Sequence, residues 1–386
     1  MRRTLLLLGF VLAAILLGLM GWVQWQRHRA LRAYGKSEQA LTQMMLLVER
    51  GGDPAPVAAI LRQVGPTMDA GHPAQAFALA QRALDVAQAA LKALPPAAEL
   101  QLPIDSAAED PSDLYVHPQP VVIDGYAGDA MEPFISPAGR FLFFNNSNDA
   151  RTNTDIFYAR RTGRLSFHFL GPLPGVNSPA LDAVPSMDSA GHFYFTSLRE
   201  YDRTGASLFA GDFDGGGVRN VHRVPGDIMA GGLGLVNMDA GVSPDGDTLY
   251  ISRAQIIPGA PAPKRSELVM ATRAKGAFNR DERSTILLIH VNTGGLNYAP
   301  CIAADGLELF FTRGSRRVDA AGSPEPSVRI MVAMRAATSD SFAEPRTLEA
   351  LSGFVEAPTI TLDETEMFFH KKVGGRYAIW HAERRP

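Results

Sequence analysis

A chain of 386 residues with 46% hydrophobic residues is long enough for a large core and for more than one domain. Its 37 Lys and Arg nearly balance its 40 Asp and Glu, and no basic run is interleaved with aromatics, so nucleic acid is excluded as the expected partner. The single cysteine, Cys301, excludes an internal disulfide, and its place in an apolar strand pattern makes it a small buried hydrophobe rather than a reactive thiol.

Met1-Arg2-Arg3 opens the chain with positive charge, and Leu5 to Val23 then runs 19 residues without a charge. That length spans a bilayer core as a helix, and Trp22 and Trp25 stand where an interfacial belt would be. A cleaved signal peptide wants a small-x-small site, for which Met20-Gly21-Trp22-Val23 is poor, so residues 1–25 are expected to be an uncleaved signal anchor. Secretion after cleavage is the alternative. No Cys follows the apolar run, which excludes a lipoprotein anchor. Arg27, Arg29, Arg32 and Lys36 flank the run as heavily as Arg2 and Arg3, so charge bias leaves its orientation open.

Residues 26–94 read as helical. Leu31, Tyr34, Leu41, Met44, Met45 and Val48 recur at three- and four-residue spacing over Arg27–Arg50. Gly51-Gly52-Asp53-Pro54 ends that helix, Pro56–Asp69 predicts a second, and Ala74–Leu94 a third that Pro73 would start. A stalk or hairpin is expected here. Residues 95–112 carry Pro, Ala, Ser and acids without period, which is linker composition.

From residue 113 onward one phrase recurs: strand, tight turn, strand. It is plainest at Gly241-Val242-Ser243-Pro244-Asp245-Gly246-Asp247 followed by Leu249-Tyr250-Ile251-Ser252, where Asp245-Gly246 is turn chemistry. The turn position falls at 139, 191, 246, 306 and 364, in steps of 52, 55, 60 and 58 residues. Such a period in strands predicts an all-β propeller of five blades with four antiparallel strands each. Third strands are expected at 155–159, 207–211, 267–271, 329–333 and 377–381. Fourth strands are expected at 167–169, 221–224, 285–289 and 346–349. Blade five runs out before a fourth strand, and Gln119–Asp124, upstream of blade one, is expected to supply it and close the ring.

Ser243-Pro244-Asp245-Gly246 before Leu249-Tyr250-Ile251-Ser252, with third strands such as Asp155-Ile156-Phe157-Tyr158-Ala159, resembles the repeat of TolB-type, WD-like β-propellers. The linking phrase Val176-Asn177-Ser178-Pro179-Ala180-Leu181-Asp182 recurs as Val291-Asn292-Thr293-Gly294-Gly295-Leu296-Asn297, as in those propellers. The resemblance covers 113–386. It implies an extracytoplasmic bacterial protein that binds protein or envelope-glycan partners, here held at the inner membrane by a single pass with the propeller in the periplasm. TolB itself has six blades and an α/β N-terminal domain, so its own role does not carry over.

Five-bladed propellers also host glycoside hydrolases, which need carboxylates meeting in the central funnel. Acidic or amide residues lie at or before the inner strands: Glu132, Asp182 with Asp188, Asp239, Asn297 and Glu356. Glu132 and Asp239 are read as sharing one register, and Asp182 and Asn297 another. Glu132, Asp239 and Glu356 are the set a hydrolase would use as acid, base and pKa modulator. All five positions are candidates for ligand binding. No cofactor is expected, with Ca²⁺ the one ion such oxygen ligands would suit. Asp212-Phe213-Asp214 begins like a Ca²⁺ loop but lacks its closing Glu, and reads as a turn. His168, His222 and His290 belong to different blades, and no G-x-S-x-G occurs. Ser252–Ser266 and Arg313–Ser327, the longest connections, are the expected partner contacts.

Overall fold

The computed structural model describes residues 52–94, 111–149, 152–228, 235–256, 263–293, 295–318 and 324–386, with scattered positions between 32 and 47. The apolar run Leu5–Val23 lies outside the described residues, as does most of the first expected helix. Among the described residues no helix is long and apolar enough to cross a membrane.

The helical unit comprises α1 (Ala55–Leu61), α2 (Val64–Asp69) and α3 (Pro73–Ala93). The single helix expected over Pro56–Asp69 is two, because the ring of Pro66 would meet the carbonyl of Arg62 four residues back. α3 starts on Pro73 and ends at Leu94, which is extended (ψ 154°) before Pro95. Its Ala83, Leu84, Ala87 and Leu91 bury against Val57 and against Ala40, Met44 and Leu47.

The segment entering the second unit makes β1 (Pro111–Ser112), β2 (Tyr115–Pro120) and β3 (Val122–Asp124), each in a different sheet. Blade one is β4 (Met131–Ile135), β5 (Phe141–Asn145), β6 (Ile156–Arg161) and β7 (Ser166–Pro172). Blade two is β8 (Asp182–Met187), β9 (His192–Ser197), β10 (Leu208–Phe213) and β11 (Val218–Arg223), with one helical turn, α4 (Tyr201–Thr204), in its hairpin. A two-residue strand, β12 (Gly226–Asp227), precedes blade three, which is β13 (Leu235–Val242), β14 (Thr248–Gln255), β15 (Arg265–Ala274) and β16 (Ala277–Arg280). Blade four is β17 (Leu296–Ile302), β18 (Glu308–Val318), β19 (Pro324–Met334) and β20 (Arg346–Leu348). Blade five is β21 (Val355–Ile360), β22 (Glu366–Val373), β23 (Arg376–Arg384) and, from the chain's entry, β2. This is a β-propeller of five blades, given by the strand pairing itself.

Two expectations shift. The closing strand is Tyr115–Pro120, antiparallel to β23, while Val122–Asp124 crosses to blade one and pairs in parallel with β7. In blade three the fourth strand is β16, not 285–289. That stretch turns through α5 (Ser284–Leu287) and buries Leu287 and Leu288.

Alternation explains the core. In a strand, successive side chains face opposite sides. Leu142 and Phe144 therefore enter the apolar cluster between blades five and one, while Phe143 enters the cluster between blades one and two. Each of the five seams has such a cluster. Each fully buried Phe adds about 2–3 kcal/mol to its seam.

Candidate functional site

The site is built where inner strands meet around the propeller axis. In four blades the inner strand is kinked by a non-glycine residue in the left-handed region: Glu132 (φ 49°), Val184 (53°), Ala299 (49°) and Ala357 (56°). Each precedes a proline and lies in a register shift, so the kink is a β-bulge. Blade three carries Gly241 where the others have proline. A Cβ there would stand 2.1 Å from the carbonyl oxygen of Pro300, so only glycine fits.

The bulges turn backbone groups across the seams, and side chains of the second strands meet them at four of the five. Asn145 Oδ1 accepts from Val184 N at 3.1 Å, Thr312 Oγ1 from Ala357 N at 2.9 Å, and His370 Nδ1 from Glu132 N at 3.0 Å. Thr196 Oγ1 donates to Met238 O at 2.8 Å. At the seam between blades three and four, Asp239 Oδ2 accepts from Ala299 N at 2.9 Å. The five seams are thus each bridged by a side chain close to the axis.

Pairing partners give the true registers. Asp239, Tyr298 and Glu356 are equivalent, opposite Ser252, Thr312 and His370. Glu132 is one residue further on, at the kink itself, so it does not share the Asp239 register as the sequence pattern suggested. The bulge supplies the extra residue.

Glu132, Asp239 and Glu356 are brought together and are buried, at 5%, 4% and 9% exposure. His370 Nε2 donates to Glu356 Oε2 at 2.8 Å, and the Tyr298 hydroxyl donates to Glu356 Oε1. Asn148 Nδ2 donates to Glu132 Oε1 at 2.7 Å, while Glu132 Oε2 is buried without a hydrogen-bond partner. Burial, and then the neighbouring Glu132 charge, pushes the Asp239 pKa up to about 8, against the Ala299 N–H that favours its carboxylate. Burial and the Glu356 charge likewise raise Glu132, against His370 and Asn148. Burial and Glu356 hold the Tyr298 phenol well above its usual pKa. Burial alone would lower the His370 pKa, but the hydrogen bond and charge of Glu356 outweigh it and raise it. A second proton on this ring would displace the Glu132 N–H from Nδ1, so the hydrogen-bond geometry opposes what the charges favour.

The free space at the axis is about 40 Å³, lined by Glu132, Asp239 and the Pro133, Pro185, Pro300 and Pro358 turns. That admits a few waters, whereas small-molecule sites occupy roughly 300–1,000 Å³. Among the described residues, no three or more His, Cys, Asp or Glu side chains form a group that could hold a metal ion.

Like Glu356, Asp182 and Asn297 are not among the residues lining this space. Their shared register serves an arginine clamp instead. Arg199 Nη2 donates to Asp182 Oδ1 at 2.7 Å, and Arg313 Nε donates to Asn297 Oδ1 at 2.9 Å. The same guanidinium groups reach Val176 O and Val291 O. The recurrent Asn177 and Asn292 amides clamp Ile156 and Leu268, respectively, through backbone N–H and C=O. The linking phrase is therefore a fastening repeated in two blades. Asp188 caps its own turn, accepting from Ala190 N and His192 N, and Asp214 does the same for Gly216 N and Gly217 N. Cys301 faces apolar neighbours, and burial lifts its thiol to about 12. Ser252–Ser266 and Arg313–Ser327 are largely hairpin, and 257–262 and 319–323 lie outside the described residues.

His370, Tyr298 and Asn148 were not singled out as members of this cluster from sequence. His370 had a signal: it falls six residues after its turn position, where Asn145, Ser252 and Thr312 fall in theirs.

No protein-family model matches the chain, and no curated protein does. Among solved structures, TolB from Acinetobacter baumannii is 14% identical with a TM-score of 0.36, the match covering 67% of this chain and 55% of that one. The chain thus spans about half the length of that protein. The α-L-arabinofuranosidase PaAbf62A from Podospora anserina is 11% identical with a TM-score of 0.37, covering 72% and 99%. Zg3597, a family 117 glycoside hydrolase from Zobellia galactanivorans, is 10% identical with a TM-score of 0.43, covering 70% and 91%. At such scores these likenesses carry no argument about function.

Proposed function

We propose that this chain is a β-propeller binding module of the cell envelope, held to the membrane by its N-terminal apolar run or secreted after its removal, with a protein or envelope glycan as partner. One observation carries the choice of binding over catalysis: the three carboxylates are buried, Asp239 and Glu356 are bonded across blade seams, and the space beside them is about 40 Å³. A glycosidase needs two carboxyl groups some 5–10 Å apart across a cleft that admits a sugar. The apolar run Leu5–Val23 supports the envelope location, and the TolB-like resemblance supports a protein partner. No cofactor is invoked, Ca²⁺ included.

The raised pKa values of Asp239 and Glu132 favour a hydrolase, since a general acid needs one. The test is to offer the full chain, Glu132→Gln and Asp239→Asn a glycan panel and envelope extracts. A binding module turns nothing over, and all three forms capture the same partner. Turnover that either substitution abolishes at unchanged melting temperature would make the axis an active site.

A further inference from the structure

A second space opens where the ring closes. A cleft of about 730 Å³ lies between Arg164 of blade one, His117 of the closing strand, and Glu366, His381 and Glu383 of blade five. That volume falls within the roughly 300–1,000 Å³ of small-molecule sites, which the axial space does not reach. Strand register puts the blade-five side chains on one face. Glu366 stands opposite Glu383, and Phe368 opposite His381, on the face where Phe368 packs against Phe167 of blade one. Arg384 alternates to the other face and reaches Glu308 of blade four.

The less exposed part of the cleft is fixed. Glu366 accepts from both Nη atoms of Arg161, at 2.7 and 2.5 Å, and from His381 Nε2 at 3.0 Å. The exposed part keeps bonding capacity. Arg164 donates to Glu383 Oε1 and, at 3.2 Å, to Gln119 Oε1. A bulge in β2 between Val116 and Gln119 makes His117 left-handed (φ 54°). Its Nδ1 stands 3.7 Å from Glu383 Oε2, beyond hydrogen-bonding distance. That oxygen and the exposed imidazole can therefore bond a ligand without giving up a partner. Charge then decides the class of ligand. Each arginine around the cleft already faces a carboxylate: Arg161 faces Glu366, Arg164 Glu383, Arg384 Glu308 and Arg385 Asp113. A charged ligand would compete with one of these pairs. A hydroxyl is donor and acceptor at once, so it adds to the carboxylate oxygen and to the imidazole or guanidinium with every pair kept.

We propose that the cleft between blades five and one binds a neutral, hydroxyl-rich saccharide, held by Glu383, Arg164 and His117. The proposal rests on the binding-module reading and selects the glycan among its partners.

The test is calorimetric titration of the full chain, in sugar-free buffer and detergent, with maltopentaose, cellopentaose, mannopentaose and chitopentaose. Oligogalacturonate and a chitosan oligomer serve as the charged counterparts. At least one neutral saccharide is expected to bind saturably, with an affinity that changes little from about 50 to about 500 mM salt. Glu383→Ala and, in the other blade, Arg164→Ala should each weaken it about tenfold at unchanged melting temperature, because an exposed ion pair adds little to stability. Glu383→Gln keeps an acceptor oxygen and should retain most of the binding. Arg219→Ala, which opens an exposed ion pair on blade two, should leave it unchanged. The proposal is overturned if no neutral saccharide binds saturably, if only the charged oligomers bind, or if Glu383→Ala and Arg164→Ala bind as the wild type does. If an envelope protein is captured while no saccharide binds, the cleft proposal fails and the binding-module reading stands. Glycan turnover that Asp239→Asn abolishes overturns that reading, and the cleft proposal with it.

Discussion

Between blades four and five, Thr312 takes the N–H of Ala357; between blades three and four, Asp239 takes the N–H of Ala299. The two bonds are equal in length and meet the same demand, an N–H turned across the seam by a left-handed residue. One acceptor is neutral and the other titrates. At the seam between blades five and one the acceptor is again titratable, His370, itself held on Glu356. The neutral seams hold at any pH, whereas the titratable ones bind fold stability to the protonation of a buried cluster. Acids near a propeller axis can therefore be fasteners while looking, in sequence, like a catalytic set.

That contrast can be broken most forcefully at His370. His370→Ala removes the acceptor of Glu132 N–H and a donor to buried Glu356 together, and should destabilise the fold by about 3–5 kcal/mol in denaturant unfolding. A loss under 1 kcal/mol would mean the seam between blades five and one is held by its apolar cluster alone.

The second prediction concerns pH. The folded pKa of Asp239 is raised to about 8 from an ordinary 3.8, so between those values the fold keeps a proton that the unfolded chain has released. Stability contributed by that proton is fully present at low pH, declines as pH rises, and is lost above about 8. The slope is up to about 1.4 kcal/mol per pH unit. Asp239→Asn keeps an oxygen for the Ala299 N–H and should flatten this slope in melting curves taken from pH 5 to 9. If the slope survives, the proton belongs to Glu132, and Glu132→Gln should remove it.

The smallest effect is expected at the neutral seam. Thr312→Val leaves the Ala357 N–H unpaired and should cost about 1–3 kcal/mol, equally at pH 5 and pH 9. A pH-dependent loss would mean that the seams communicate around the ring.

Much of this architecture was legible from residue type alone. The turn spacing counted the blades. The missing fourth strand of blade five pointed upstream, although the closing strand is shifted to Tyr115–Pro120. The helix at 284–287 defeated the strand reading because Thr285-Ile286-Leu287-Leu288-Ile289 is apolar at both periods. For the candidate site, Glu132, Asp239 and Glu356 were read as one set, and the structure buries them near one another. Their burial and partners were not legible, nor were the arginines that hold Asp182 and Asn297.

The sequence by itself determined the period, the strands and the closure of the ring, because these follow from turn chemistry and alternation within a few residues. Only the tertiary structure decided what the acids do. A one-residue bulge at a left-handed position rotates the inner strand in four blades, and Glu132 sits at that position, one residue past the register that Asp239 and Glu356 keep. Asp239 meets Ala299 of the next blade, 60 residues away, and Glu356 meets Tyr298 of the blade before, 58 residues away, while the Glu132 carboxylate meets Asn148 within its own blade.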